Sequence, residues 1–397
     1  MHIAEKIKKL AMEKASEVID IRRHLHANPE LSFEEYNTSA FIKEYLQRLG
    51  VGQVKTMANT GIVALIEGKN PNKKSIALRA DIDALPINEL SDKSYKSKTP
   101  GVMHACGHDV HTASLLGTVA ILQEIKDQFE GTVKLIFQPG EEKTPGGASL
   151  MIKEGVLQNP TTEAIIGQHV MPLIPVGEVG FREGLYMASA DELYVTVKGK
   201  GGHAAMPDHN IDPILVASHI IVALQQIVSR NCDPKMPTVL SFGKLEALGA
   251  TNVIPNEVYI EGTFRTMDEQ WRTDAHKKMK KMAECIAEGM GAECDFNIVK
   301  GYPFLKNDNE LTRRLKSNAV DYLGKEKVHD LDMWMAAEDF AFYSQKTEAC
   351  FYRLGTRNEA KGIVSGVHTP TFDIDENALE IGSGLMAWFA VKELLEK

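Results

Sequence analysis

The sequence predicts an α/β protein in which a larger domain, with a mixed central sheet flanked by helices, carries an inserted ferredoxin-like α+β domain. Short apolar runs bounded by Gly, Asn and Pro alternate with helix-period stretches at both ends of the chain. The middle of the chain instead reads strand–helix–strand–strand–helix–strand, the order of a split βαβ unit. At 397 residues there is enough chain for two cores.

In order, helical periodicity runs over residues 3–27 and ends at Asn28-Pro29. A second helix is expected over 32–49, with Ser32 and Glu35 as a capping box and Gly50 as the stop. Strands are predicted at 62–67 and 75–79, a helix at 110–126, a strand at 132–137, a short helix at 146–154 and a strand at 164–166. The middle section gives strand 192–198, helix 213–229, strands 238–245 and 257–265, helix 269–290 and strand 293–299. Helix 310–323, strand 350–354 and helix 376–395 complete the chain. The expected boundaries are 1–186 with 300–397 for the larger domain and 187–299 for the insert, with hinges near 183–190 and 299–304.

Composition excludes several classes. The profile is that of a globular protein, 43% hydrophobic and 25% charged, with a net charge of −9. No basic stripe or block is present, which argues against a nucleic-acid partner. The first residues are polar and lack a signal-peptide core, and no apolar run reaches the ~18 residues a membrane span needs. A cytoplasmic protein without a membrane partner is expected. Cys106, Cys232, Cys285, Cys294 and Cys350 are scattered and odd in number, so free thiols are expected.

Four segments carry metal-ligand chemistry. Cys106 and His108 are two apart, so extended backbone would aim thiolate and imidazole to one side; His104 could join them, and Asp109 is placed to cap the next helix. Glu141 and Glu142 follow an apolar strand directly, where open α/β sheets gather their sites. One glutamate could bind metal while the other faces the attacking water and takes its proton. His169 sits just past a strand, and His368 lies in a Gly-rich loop. Thiolate, imidazole and carboxylate donors suit zinc, manganese, cobalt or nickel better than magnesium or calcium. Singly, each has an ordinary structural reading: a buried thiol, a solvated Glu pair, a hydrogen-bonded histidine. Their convergence is what argues for a centre.

A run of motifs spans nearly the whole chain. It comprises Arg22-Arg23-His24-Leu25-His26, Leu78-Arg79-Ala80-Asp81-Ile82-Asp83, Met103-His104-Ala105-Cys106-Gly107-His108-Asp109, Gln138-Pro139 with Glu141-Glu142, Gly201-Gly202-His203-Ala204, Asn252-Val253-Ile254-Pro255, Gly262-Thr263-Phe264-Arg265, Glu338-Asp339-Phe340 and His368-Thr369-Pro370. In these the chain resembles the amidohydrolase branch of the aminoacylase/carboxypeptidase-type dinuclear metallopeptidases. The resemblance implies that Cys106, His108, Glu142, His169 and His368 bind two divalent ions, with Cys106 bridging. It implies that Glu141 is the general base and then the proton donor. It places His203, Asn252 and Arg265 on the substrate's carbonyl or carboxylate, and the insert at a homodimer interface. The wider superfamily uses a His-x-Asp segment where this chain has Asp81-Ile82-Asp83, so those two aspartates are expected behind the ligands. Another departure is Gly140, where many relatives carry Ala. The remaining histidines of the first helix, His24 and His26, read as structural. The implied reaction is hydrolysis of an N-acyl amino acid. The rivals are a dipeptidase or carboxypeptidase, an N-acetyl-diaminopimelate deacetylase and a metal-binding protein without catalysis.

Overall fold

The computed structural model describes residues 3–395, which divide into two compact units. The first comprises residues up to Tyr186, then Lys306–Met333 and Asp339 onward; the second is Met187–Leu305 with Trp334–Glu338. The short excursion 334–338 carries no compositional signal and is absent from the sequence reading.

The first unit is built on an eight-stranded mixed sheet. Its centre is four parallel strands in the order Thr132–Gln138, Ser75–Asp81, Ala164–Pro175, Glu348–Arg357. Gly61–Glu67 pairs antiparallel on one flank and Val179–Phe181 on the other. The central strands are buried on both faces, so they read as continuous apolar runs rather than as alternation. Helices Ile3–Ala27, His108–Ile125 and Ala378–Leu395 pack on one another. Every residue of His108–Ile125 except Gln123 and Glu124 is buried, so this helix has no polar stripe.

The second unit is a four-stranded antiparallel sheet in the order Thr238–Glu246, Glu257–Thr266, Asp191–Lys198, Glu293–Lys300, with helices Pro213–Gln226 and Glu269–Gly289. This is the ferredoxin-like order. Strand Asp191–Lys198 alternates buried and exposed positions along its length, the signature of a sheet with one covered face. The stretch Pro213–Asn231 is long and apolar enough to cross a membrane by length and mean composition alone, although Ser, His and Gln interrupt it and it holds no unbroken apolar run of ~18 residues. Val216, Ala217, Ile220, Leu224 and Ile227 on its inner side form the core of this unit.

Two local readings need correction. The second helix begins at Tyr36, not near Ser32, and Glu35 forms no cap hydrogen bond; it is fully buried. Asp109 does not cap the helix that follows. Gly107 is the N-cap residue, and Asp109 instead accepts Arg22 Nε at 2.7 Å and contacts His26 Nδ1 at 2.8 Å. Both acids looked like caps because acids favour helix starts. Asp109 pairs with Arg22 and His26, and Glu35 reaches as far as Gly140, so no local pattern exposes these contacts.

Candidate metal centre

Strand ends and one helix start bring the donors together. His108 opens the helix His108–Ile125, and Gly107 before it adopts φ +83, so Cys106 enters from a sharp turn. A Cβ on Gly107 would stand 2.6 Å from Val170, so glycine is needed for space as well as for its dihedral. Glu141 and Glu142 follow strand Thr132–Gln138. His169 lies within strand Ala164–Pro175 rather than just past a strand as expected; its polar neighbours Gly167-Gln168 disguised the continuation. His368 adopts φ +61, a left-handed conformation rare for a residue with a Cβ, and its N–H is tied to Ala105 O at 2.7 Å. Such strain is typical of functional positions.

The hydrogen bonds fix the tautomers. His108 Nδ1 is 3.0 Å from Asp83 Oδ1, and His169 Nδ1 is 2.7 Å from Val170 O. Both partners can only accept, so both Nδ1 atoms carry the proton, and in the neutral rings both Nε2 atoms keep a lone pair. His108 Nε2 is buried and makes no hydrogen bond. His169 Nε2 is 3.5 Å from Cys106 Sγ, His368 Nε2 is 3.3 Å from the same sulfur, and His368 Nε2 is 3.2 Å from Glu142 Oε1. A tetrahedral zinc site puts S and N donors about 3.5 Å apart, given bonds of ~2.3 and ~2.0 Å.

The donors form two groups that share Cys106: Cys106, His108 and His169, and Cys106, Glu142 and His368. In each, the donor atoms all lie within 4.8 Å of one another. Glu141 forms a further group with His108 and Glu142. Burial pushes the Cys106 thiol up, and the Glu142 carboxylate adds to the effect. Burial pushes His169 down, away from its charged form. Cys106 and Glu142 hold His368 up, at about 10. A divalent cation would offset the upward shifts of Cys106 and His368, and His169 is already held in the neutral form that a metal ligand needs. The residues therefore fit a metal centre.

Asp81, His108 and His111 also lie close together, but His111 has nothing left to give a metal. Its Nε2 accepts Val170 N–H at 2.9 Å, so its Nδ1 is the protonated nitrogen and donates to Asp81 Oδ1 at 2.6 Å. Asp81 also accepts Arg79 Nη1 at 2.6 Å. His104 does not join the donors. Its ring is buried 6.5 Å from that of His26, and burial pushes its pKa down to about 4.

The sequence reading missed the residues that hold this centre in place. His111 is one turn beyond His108, a spacing that exposes it in hindsight. Glu35 accepts Phe33 N, Gly140 N and Thr60 Oγ1, and so anchors the loop that carries the two glutamates. Gly140 itself has φ +59, and a Cβ there would stand 2.3 Å from the Phe33 ring. Gly140→Ala should therefore destabilise this chain by about 1–3 kcal/mol, the usual cost of overpacking. Thermal denaturation checks this; an unchanged melting temperature would mean that Phe33 moves aside freely.

The second unit carries the residues expected on the substrate. His203 pairs with Val253, and Ala204 N donates to Asn252 O at 3.0 Å, so His203 and Asn252 are neighbours. His203 Nδ1 accepts Ala205 N–H at 3.1 Å, which leaves Nε2–H as a donor in the neutral ring. Arg265 lies near the far end of strand Glu257–Thr266. Eight residues of extended chain separate it from Glu257, roughly 26 Å at ~3.3 Å per residue. Its guanidinium donates to Thr263 Oγ1 and Asp191 O, and burial lowers its pKa.

Comparison with known proteins agrees with this arrangement. The model of Peptidase family M20/M25/M40 matches residues 77–392. An N-acetylcysteine deacetylase of Bacillus subtilis is 40% identical over 94% of this chain and 96% of its own length. Thermostable carboxypeptidase 2 of Saccharolobus solfataricus is 38% identical over 99% of both chains. Among solved structures, a dinuclear metal-binding peptidase of the M20 family from Bacillus subtilis superposes with a TM-score of 0.83, at 36% identity, covering 96% of this chain and 99% of that one. A donor cluster around Cys106, a neighbouring spare glutamate and a family match over most of the chain lead to one conclusion: this chain belongs to the M20/M25/M40 peptidase family and is an amide-hydrolysing enzyme.

Proposed function

We propose that the enzyme hydrolyses the amide bond of N-acyl amino acids at a two-metal centre held by Cys106, His108, Glu142, His169 and His368. The observation that carries this reading is the pair of donor groups sharing Cys106, with Glu141 beside them. Bound divalent ions, of the zinc, manganese, cobalt or nickel type, would polarise the acyl carbonyl and ease ionisation of water. Glu141 takes a proton from the attacking water as its oxygen bonds to the acyl carbon. It then delivers that proton to the leaving nitrogen as the C–N bond breaks, giving a carboxylate and a free amino acid. Asp83 holds His108 in its ligating tautomer, and Asp81 fixes the tautomer of His111, whose Nε2 accepts Val170 N–H behind it.

In the same reading His203 and Asn252 donate to the acyl oxygen, and Arg265 takes the substrate carboxylate. In the same reading the enzyme is a homodimer formed through the inserted unit. Ile214, Leu215 and Val222, exposed on the outer side of helix Pro213–Gln226, offer an apolar face for that contact. All five cysteines are free, which suits a cytoplasmic enzyme.

The test is a substrate panel on metal-reconstituted enzyme. N-acetyl and N-benzoyl amino acids should give kcat/KM at least about tenfold above dipeptides with a free amino terminus, the discrimination expected from about 1.4 kcal/mol of differential binding. A reversed order would favour the dipeptidase or carboxypeptidase reading. Bound metal with no turnover on the whole panel would favour a non-catalytic protein.

A further inference from the structure

We infer that Asp339 is a positioning residue for Glu141, acting as a clamp across the loop 138–148 that carries both glutamates. This rests on the reading of Glu141 as the base. Asp339 is fully buried, and its carboxylate touches both ends of the loop. At the entry, Gln138 Nε2 donates to Asp339 Oδ1 at 2.9 Å and Oδ2 at 2.8 Å. At the exit, Ala148 N donates to Oδ2 at 3.0 Å. Arg79 Nη2 donates to Oδ1 at 2.8 Å, and Arg79 Nε holds Gln138 Oε1 at 2.9 Å. Between these two anchors, the backbone N–H of Asp339 donates to Glu141 Oε1 at 3.3 Å.

One residue thus fixes the loop's two ends and also touches the carboxylate in its middle. The N–H bond orients the Glu141 carboxylate. The side chain determines where that N–H sits. Arg79 supplies the counter-charge that makes a buried aspartate tolerable here. Displacing a catalytic group by about 1 Å can cost on the order of 100-fold in rate, so a clamp of this kind has catalytic consequences without touching substrate.

All the contacts of the Asp339 carboxylate described above come from donors, so Asp339→Asn must turn its own NH2 toward at least one of them. The expected result is a fall in kcat of about 10- to 100-fold, with KM and metal content close to native. The discriminating readout is a double-mutant cycle with Glu141→Gln. If Asp339 acts through Glu141, adding Asp339→Asn to Glu141→Gln should leave residual turnover unchanged within about threefold. Gln138→Met, which frees only the loop entry, provides the same cycle if the asparagine variant folds poorly. Losses that multiply with that of Glu141→Gln, or that track loss of metal, would overturn the inference while leaving Glu141 as the base. Native-like activity in Glu141→Gln alone would overturn the base assignment, and this inference with it.

Discussion

Glu141→Gln is expected to keep its metal and lose at least about 10³-fold in kcat, within the range that a general base contributes. The reasoning is geometric. Glutamine matches glutamate in shape, and its carbonyl oxygen can still accept the Asp339 N–H that reaches Glu141 Oε1. Neither Cys106, His169 nor His368 depends on Glu141 for the contacts that bring them together. What the amide cannot do is take a proton from water or return one to the leaving nitrogen. Metal content by mass spectrometry and amine release by a stopped assay separate the two effects. A variant within tenfold of native turnover would show that another group moves the proton. A variant that loses metal along with activity would place Glu141 among the ligands.

The segments that meet around Cys106 were readable because each one interrupts its surroundings. A thiol and an imidazole two apart, or two glutamates directly after an apolar run, have no use in a strand or a helix face. The second unit was readable for a different reason. Its sheet is covered on one side, so strands such as Asp191–Lys198 alternate and its order can be followed along the chain. The first unit concealed more. Three-residue strands such as Lys55–Met57 and Val179–Phe181 are too short to show a period. His169 looked like a loop residue because Gly167 and Gln168 precede it, although both are buried inside the sheet. Glu35, Asp109 and Asp339 are the clearest cases. Each is a buried acid with at least one partner more than 80 positions away, as the Asp109–Arg22 pair shows with its members 87 positions apart. Local reading can see that an acid is present; only the fold shows that Glu35 serves Gly140 and Asp339 serves Ala148.

Asp83→Asn is expected to weaken metal binding by about 10- to 100-fold, the usual effect of removing a group that orients a ligand. Asp83 is buried and accepts three donors: His108 Nδ1 at 3.0 Å on one oxygen, and Ser32 Oγ at 2.6 Å and Glu142 N at 3.0 Å on the other. Asparagine has a single acceptor atom in place of the two oxygens. If it faces Glu142, its NH2 meets His108 Nδ1, which must then accept; the imidazole proton moves to Nε2 and blocks the lone pair meant for metal. If it faces His108, its NH2 meets the Glu142 N–H, and the loop bearing that carboxylate is pushed away. Either orientation damages one donor while leaving Cys106, His169 and His368 in place. Excess metal should therefore restore much of the activity, whereas no metal concentration should rescue Glu141→Gln. Titrating activity and melting temperature against added zinc or manganese measures the shift, since a bound ion stabilises the folded state in proportion to RT ln(1 + [L]/Kd). An Asp83→Asn enzyme that saturates at the native concentration would mean that His108 does not need its Nε2 for metal. The pair of donor groups around Cys106 would then have to be assigned again, starting from Asp81 on the other side of that ring, 3.6 Å from Nε2.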